Sequence, residues 1–131
     1  MNIVTAVKEL LISDDRKISA IQKDFNELFP FLKLEFFNKP HAQFGLSPKR
    51  SMISASKNLG ECRTLHNAGT ISISSATTVV ELEQSFSSIY GISVQVFRHS
   101  GKLWLETSVT DSWTLEKQNA EGEALSKNEE E

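Results

Sequence analysis

Cys62 and His66 are the pair in this 131-residue chain whose types and spacing most directly suggest chemistry. They stand at i and i+4, so a helix over residues 59–66, capped at Ser56, Lys57 or Asn58, would put both on one face. A thiol beside an imidazole makes a nucleophile with its base, or half of a zinc site. Nothing nearby in the sequence completes either arrangement, and Gly60 weakens the helix that would align them. The expectation is a small buried cysteine beside a surface histidine. His41, His66 and His99 lack ligand-like spacing, and there is no GxGxxG, P-loop, GxSxG, HExxH or CxxC motif. No catalytic residue, metal or cofactor is therefore assigned, and the reading leans away from an enzyme. Asp14 and Asp15, a conceivable acidic metal pair, fit better as first-turn carboxylates of a helix that opens at Ser13.

Binding chemistry is better represented. Lys49, Arg50, Lys57 and Arg63 form a basic cluster, extended by Lys39 and His66, with Glu61 the one acid between Lys39 and His66. Such a cluster suits a phosphate or an acidic partner. It lacks the interleaved surface aromatics that stack bases, so nucleic acid is not expected. Arg98, His99 and His66 are the polar groups that would line a pocket beneath residues 38–57, if one exists there. Trp104 alternates with Leu103 and Leu105; if those two face the core, Trp104 points outward as a contact anchor, and if the sheet is covered on both faces it is core.

The elements that position these residues centre on Thr77–Thr107. Val79, Leu82, Phe86, Ile89 and Tyr90 mark one face of a helix over 78–90, with Thr78 and Glu81 spaced as a capping box and Gly91 as the left-handed stop. Ile92, Val94 and Val96 then alternate as a strand, and Ser100-Gly101 turns it back into a strand over 103–107. The same apolar offsets occur 61 residues earlier at Ile18, Ile21, Phe25, Leu28 and Phe29, followed by alternating Leu32, Leu34 and Phe36 at an offset of 60. That is the trace an internal helix-strand duplication leaves. Residues 2–11 read as a short helix, with a strand at Leu10-Leu11-Ile12 as the alternative. Residues 38–57 are an irregular loop with Met52-Ile53 as a short edge strand. Asp111 or Ser112 caps a last short helix carrying Trp113 and Leu115.

These elements predict an α+β, two-layer domain over residues 1–119: a sheet of about four strands (32–37, 70–73, 92–97, 103–107) covered on one face by helices 14–29 and 78–90. Phe25 and Phe86 are its central core residues. Residues 120–131 read as an acidic, flexible tail, dispensable for folding. From Thr114 on there are six acids and two bases, which leaves 11 acids against 12 bases in the body. A near-neutral body argues for neither a nucleic acid nor a membrane partner. No apolar run approaches the ~18 residues of a membrane span, no signal peptide is evident, and one cysteine cannot form an internal disulfide, so the expected location is a reducing cytoplasm.

The runs TVVELEQSF, YGISVQVFR, SGKLWLET and TDSWTLEKQN resemble a small family of uncharacterised bacterial proteins, over most of the chain. The resemblance implies no activity and no site residues. TISI followed by TVVELEQSF is also similar to the strand-then-helix opening of ubiquitin-like β-grasp domains, an analogy over a short stretch. The functional expectation is a non-catalytic protein-interaction module, meeting a protein partner or itself through Trp104 or an open sheet edge. The alternative is a small ligand-binding domain or enzyme with its site under the 38–57 loop.

Overall fold

Val79–Tyr90 forms the helix that most of the core leans on, and its ends follow from local chemistry. Thr78 accepts from the Glu81 backbone N–H at 3.2 Å while the Glu81 carboxylate accepts from the Thr78 N–H at 2.9 Å, a reciprocal capping box. Gly91 ends the helix at φ +65°, a conformation that would strain any side chain. Val79, Leu82 and Phe86 are fully buried and Tyr90 nearly so; Ile89, expected on the same face, is half exposed. The computed structural model describes residues 8–38 and 52–130. Among them are five strands, β1 (Lys8–Ile12), β2 (Leu32–Phe37), β3 (Gly69–Ile73), β4 (Ser93–Ser100) and β5 (Leu103–Glu106), and three helices, α1 (Ile18–Leu28), α2 (Val79–Tyr90) and α3 (Leu115–Glu130).

The α+β class is as expected, but the strands do not form one four-stranded sheet. β1 and β3 make an antiparallel pair, and β2, β4 and β5 make a second antiparallel sheet in that order. Strand 69–73 is therefore no neighbour of β4. α1 packs on β2 and β1, and α2 on β4 and β3, so both helices share one core with both sheets. Leu10, Ile12, Ile71 and Ile73 supply it from the small sheet, and Leu32, Leu34, Phe36, Val94 and Val96 from the large one. Phe25 and Phe86 are both fully buried, as the helical period requires.

The repeat is visible in the backbone. β1-α1-β2 recurs as β3-α2-β4, and counterpart residues pair with each other. Leu10 pairs with Ile71, its equivalent 61 residues on, and Glu35 pairs with Gln95, its equivalent 60 residues on. Two copies related by a two-fold axis pair in this way. Each unit also closes with the same four backbone bonds. Ile18 and Ser19 donate to Lys57 and Ala55, and Leu59 and Gly60 donate to Arg16 and Asp14. In the second unit Val79 and Val80 donate to Trp113 and Asp111, and Leu115 and Glu116 donate to Thr77 and Ser75. Leu59 and Leu115, fully buried, are thus matched plugs.

Several local expectations are corrected. Residues 8–12 are a strand, not the end of a helix, because the alternation of Leu10 and Ile12 finds a partner in β3; residues 2–7 lie outside the described residues. α1 begins at Ile18 behind Lys17, so Ser13–Asp15 form a turn rather than an acidic first helical turn. The expected helix over 59–66 is a single 3-10 turn, Leu59–Glu61, capped by Asn58. The expected edge strand at Met52-Ile53 is reduced to a bridge between Phe37 and Met52, with Ile53 N–H donating to Phe36 at 2.7 Å.

The expected flexible tail is helical. α3 continues through Ala120 to Glu130 and packs on β4 and β2. A Cβ on Gly122 would lie 3.0 Å from Phe31 and 3.1 Å from Arg98, so glycine permits the close approach. Ser126, buried, accepts from the Gly101 N–H at 3.2 Å. A chain ending at Asn119 should therefore lose about 2–3 kcal/mol, from two hydrogen bonds at Ser126 and the packing around Gly122. Thermal melting followed by circular dichroism should show a drop of roughly 10 °C. An unchanged melting temperature would restore the dispensable tail.

Candidate interaction surface

The hairpin β4–β5 is set by its turn. Gly101-Lys102 is a two-residue loop with positive φ (+61°) at Gly101 alone, the choice that matches strand twist with glycine first. The register then pairs His99 with Trp104 and Phe97 with Glu106. Side chains alternate, so Phe97, His99, Trp104 and Glu106 share one face, and Arg98, Leu103 and Leu105 the other. The first face carries a cation-aromatic cluster. Lys33 Nζ sits 5.0 Å from the Trp104 ring centroid and 5.4 Å from that of Phe97. The His99 and Trp104 ring centroids are 4.7 Å apart. Phe31 extends the stack behind His99.

Leu103 and Leu105 do not face the core, contrary to one of the two readings of Trp104, and Trp104 is not core, contrary to the other. The two leucines are 66% and 41% exposed, and Trp104 is 37% exposed between them. The helices pack on β2 and β4, and β5 stands at an edge of the sheet. Three apolar residues in a row therefore stand open to solvent on an edge.

The other predicted site residues are dispersed. Lys49 and Arg50 lie outside the described residues. Lys57 is exposed and its carbonyl closes the first unit onto Ile18. Arg98 and His99 are neighbours on opposite faces: Arg98 donates to Gln118 at 2.9 Å and lies over Trp113, whereas His99 Nδ1 is 3.2 Å from Ser126 Oγ. His66 is on neither side of that strand, so the three-residue pocket of Arg98, His99 and His66 is not formed.

His66 belongs to a constellation that sequence spacing could not announce. Its Nδ1 lies 2.7 Å from Asp14 Oδ2, and because an ionised carboxylate only accepts, Nδ1 carries the hydrogen. Arg63, whose side chain is fully buried, donates through Nε and Nη2 to Asp14 Oδ1 at 3.0 and 2.8 Å and through Nη1 to the Tyr90 carbonyl at 3.1 Å. The Arg63 hydrogen bonds, and then His66, hold the Asp14 carboxyl below the usual aspartate range. Arg63 thus ties the first unit's turn to the end of α2. A carboxylate-imidazole pair orients a catalytic base only when a nucleophile follows. Cys62 does not serve: its Sγ donates to the Asn58 carbonyl at 3.5 Å, and burial pushes its thiol up, away from the reactive thiolate. Among the described residues no three His, Cys, Asp or Glu side chains gather as metal ligands would.

One buried acid escaped sequence reading altogether. Glu83 of α2 is 9% exposed and beside a cavity of about 250 Å³ lined by Val80, Gln84, Ser87, Ser93, Val94 and Asp111. Its carboxylate accepts from the Val96 N–H at 3.5 Å, on the edge of β4 that β5 leaves uncovered. Its counterpart in the first unit is Gln22, which donates to the Leu34 carbonyl at 2.7 Å. The same position thus closes a strand edge in each half.

The class defined by these features is a two-unit α+β domain whose edge strand β5 exposes Leu103, Trp104 and Leu105. No family model, curated protein or solved structure matches the chain. Among the described residues no helix is long and apolar enough to cross a membrane.

Proposed function

We propose that this chain is a non-catalytic protein-interaction module whose contact surface is the β5 edge with Trp104 at its centre. One observation carries the reading: Leu103, Trp104 and Leu105, consecutive on an edge strand, are 66%, 37% and 41% exposed. Native sheets normally blunt their edges with charge, bulges or cover, and an apolar edge is a template for another chain. A partly exposed tryptophan beside a lysine is the residue type that anchors interfaces. The family of bacterial proteins that the sequence resembles and a cytoplasmic setting accord with a lone cysteine held as a thiol, and neither adds chemistry to this surface.

The rival reading, a ligand or substrate site under the 38–57 loop, draws on a cavity lined by Asn38, Met52, Ile53, Ser54, Lys57, Glu61 and Cys62. At about 270 Å³ it falls below the ~300–1,000 Å³ of most small-molecule sites. The test is a photo-crosslinking amino acid at Leu103, with exposed Lys23 of α1 as control, in cells that make the protein. Adducts with a polypeptide from position 103 and not from 23 are expected. Equal or absent adducts at both positions would remove the β5 edge as the contact surface.

A further inference from the structure

We infer that the partner taken by the β5 edge is a second copy of this chain, paired antiparallel about a two-fold axis through Trp104. The inference rests on the preceding reading of the edge and adds its occupant and register.

The backbone fixes which groups are offered. Thr107 N–H donates to the Val96 carbonyl at 3.3 Å, so Thr107, and with it Leu105 and Leu103, turn their backbone groups toward β4. His99 N–H donates instead to Phe31, at 2.9 Å, on the β2 side, which confirms the alternation from the other strand. Trp104 and Glu106 therefore aim their N–H and C=O groups away from the sheet. A strand arriving antiparallel with Trp104 opposite Trp104 meets those groups as a hydrogen-bonded pair, in which both residues exchange N–H···O bonds.

The side chains make this register self-complementary. The axis through Trp104 sets Leu103 against Leu105 of the second copy, twice, burying the two most exposed apolar residues of the strand. One step further, exposed Lys102 faces Glu106 of the second copy, again twice. Shifting the register by two residues sets Glu106 against Trp104 and leaves the lysines without the acid. Both apolar and charged positions thus select one alignment of the same sequence with itself. The product is a continuous six-stranded sheet, β2-β4-β5 joined to β5-β4-β2, with no free edge at its middle. An interface this small sits at the weak end of specific association.

Sedimentation velocity of the full chain from about 5 to 500 µM should show a monomer converting to dimer, with half-conversion at roughly 10–100 µM. Lys102→Glu alone, and Glu106→Lys alone, each set like charges together twice and should weaken association about tenfold or more. Mixing the two single variants, or combining both changes in one chain, should restore it. Backbone amide exchange provides a readout that needs no variant: the Trp104 N–H should slow with protein concentration, while that of Leu105, already bonded within the sheet, should not. A monomer throughout the concentration range, singles that weaken without rescue by mixing, or a Trp104 amide indifferent to concentration would each overturn the proposal. Crosslinks from position 103 to a different polypeptide alone would overturn the second copy and leave the interaction module standing; no crosslink at all would end both.

Discussion

Replacing Glu83 by glutamine should abolish most of the protein's loss of stability between pH 5 and pH 8. The carboxyl of Glu83 is pushed up to about 8, first by burial and further by the negative charges of Asp111 and Glu106, against the Val96 N–H that pulls it down. In the unfolded chain the same group titrates near 4.5. Between those values the folded state holds a proton that the unfolded state does not, so stability is fully present below about 4.5 and falls as pH rises through about 8. The slope is about 1.4 kcal/mol per pH unit for one proton, with a total on the order of 4 kcal/mol. Glutamine cannot ionise, and its side-chain carbonyl still accepts from the Val96 N–H. Gln22 shows that the amide fits the equivalent place in the first unit. Urea unfolding at pH 5, 6.5 and 8 should give a steep decline for the natural chain and a shallow one for Glu83→Gln, which should be the more stable at pH 8 by about 2–4 kcal/mol. Parallel pH profiles would mean that Glu83 keeps its charge in the folded protein.

Phe86→Ala should cost about 3–5 kcal/mol, the range for deleting a buried aromatic ring. The ring is fully buried and meets Phe36 edge to face, centroids 5.5 Å apart at 86°. Phe36 belongs to the first unit and Phe86 to the second, so the cavity would open at the seam, where collapse would require both sheets to shift. Guanidinium unfolding should show a lower midpoint with an unchanged slope. A midpoint like that of the natural chain would remove α2 from the centre of the core.

How much of this was legible depends on how local the cause is. The Thr78–Glu81 box, Gly91 and, apart from Ile89, the core face of α2 are governed by neighbours in sequence, and they read correctly; the hairpin connection expected over 98–102 narrows to Gly101-Lys102. Residues 8–12 did not, since five residues with two buried positions suit a helix end as well as a strand until β3 supplies the partner. A short helix with Leu115 was expected, and its continuation to Glu130 as α3 was missed for the opposite reason. It is polar nearly throughout, and what holds it is a groove around Phe31 and Arg98 about 90 and 24 residues away. The Asp14–Arg63–His66 constellation spans separations of 49 and 52 residues, beyond any motif spacing. Trp104 stood out by type, whereas the exposure of Leu103 and Leu105 required knowing that the helices pack on β2 and β4.

The seam between the two units has a consequence for ancestry and assembly. β1 pairs with β3 and β2 with β4, so the strands of each unit pair across to the other unit and not within their own. A half-length chain would present open strands on two sides and half a core, and could exist in folded form only by clasping a twin. The first unit ends with its Leu59 plug and the second opens at Gly69, so the stretch between them is the covalent tether, and a single break there would leave two polypeptides with matching strand edges.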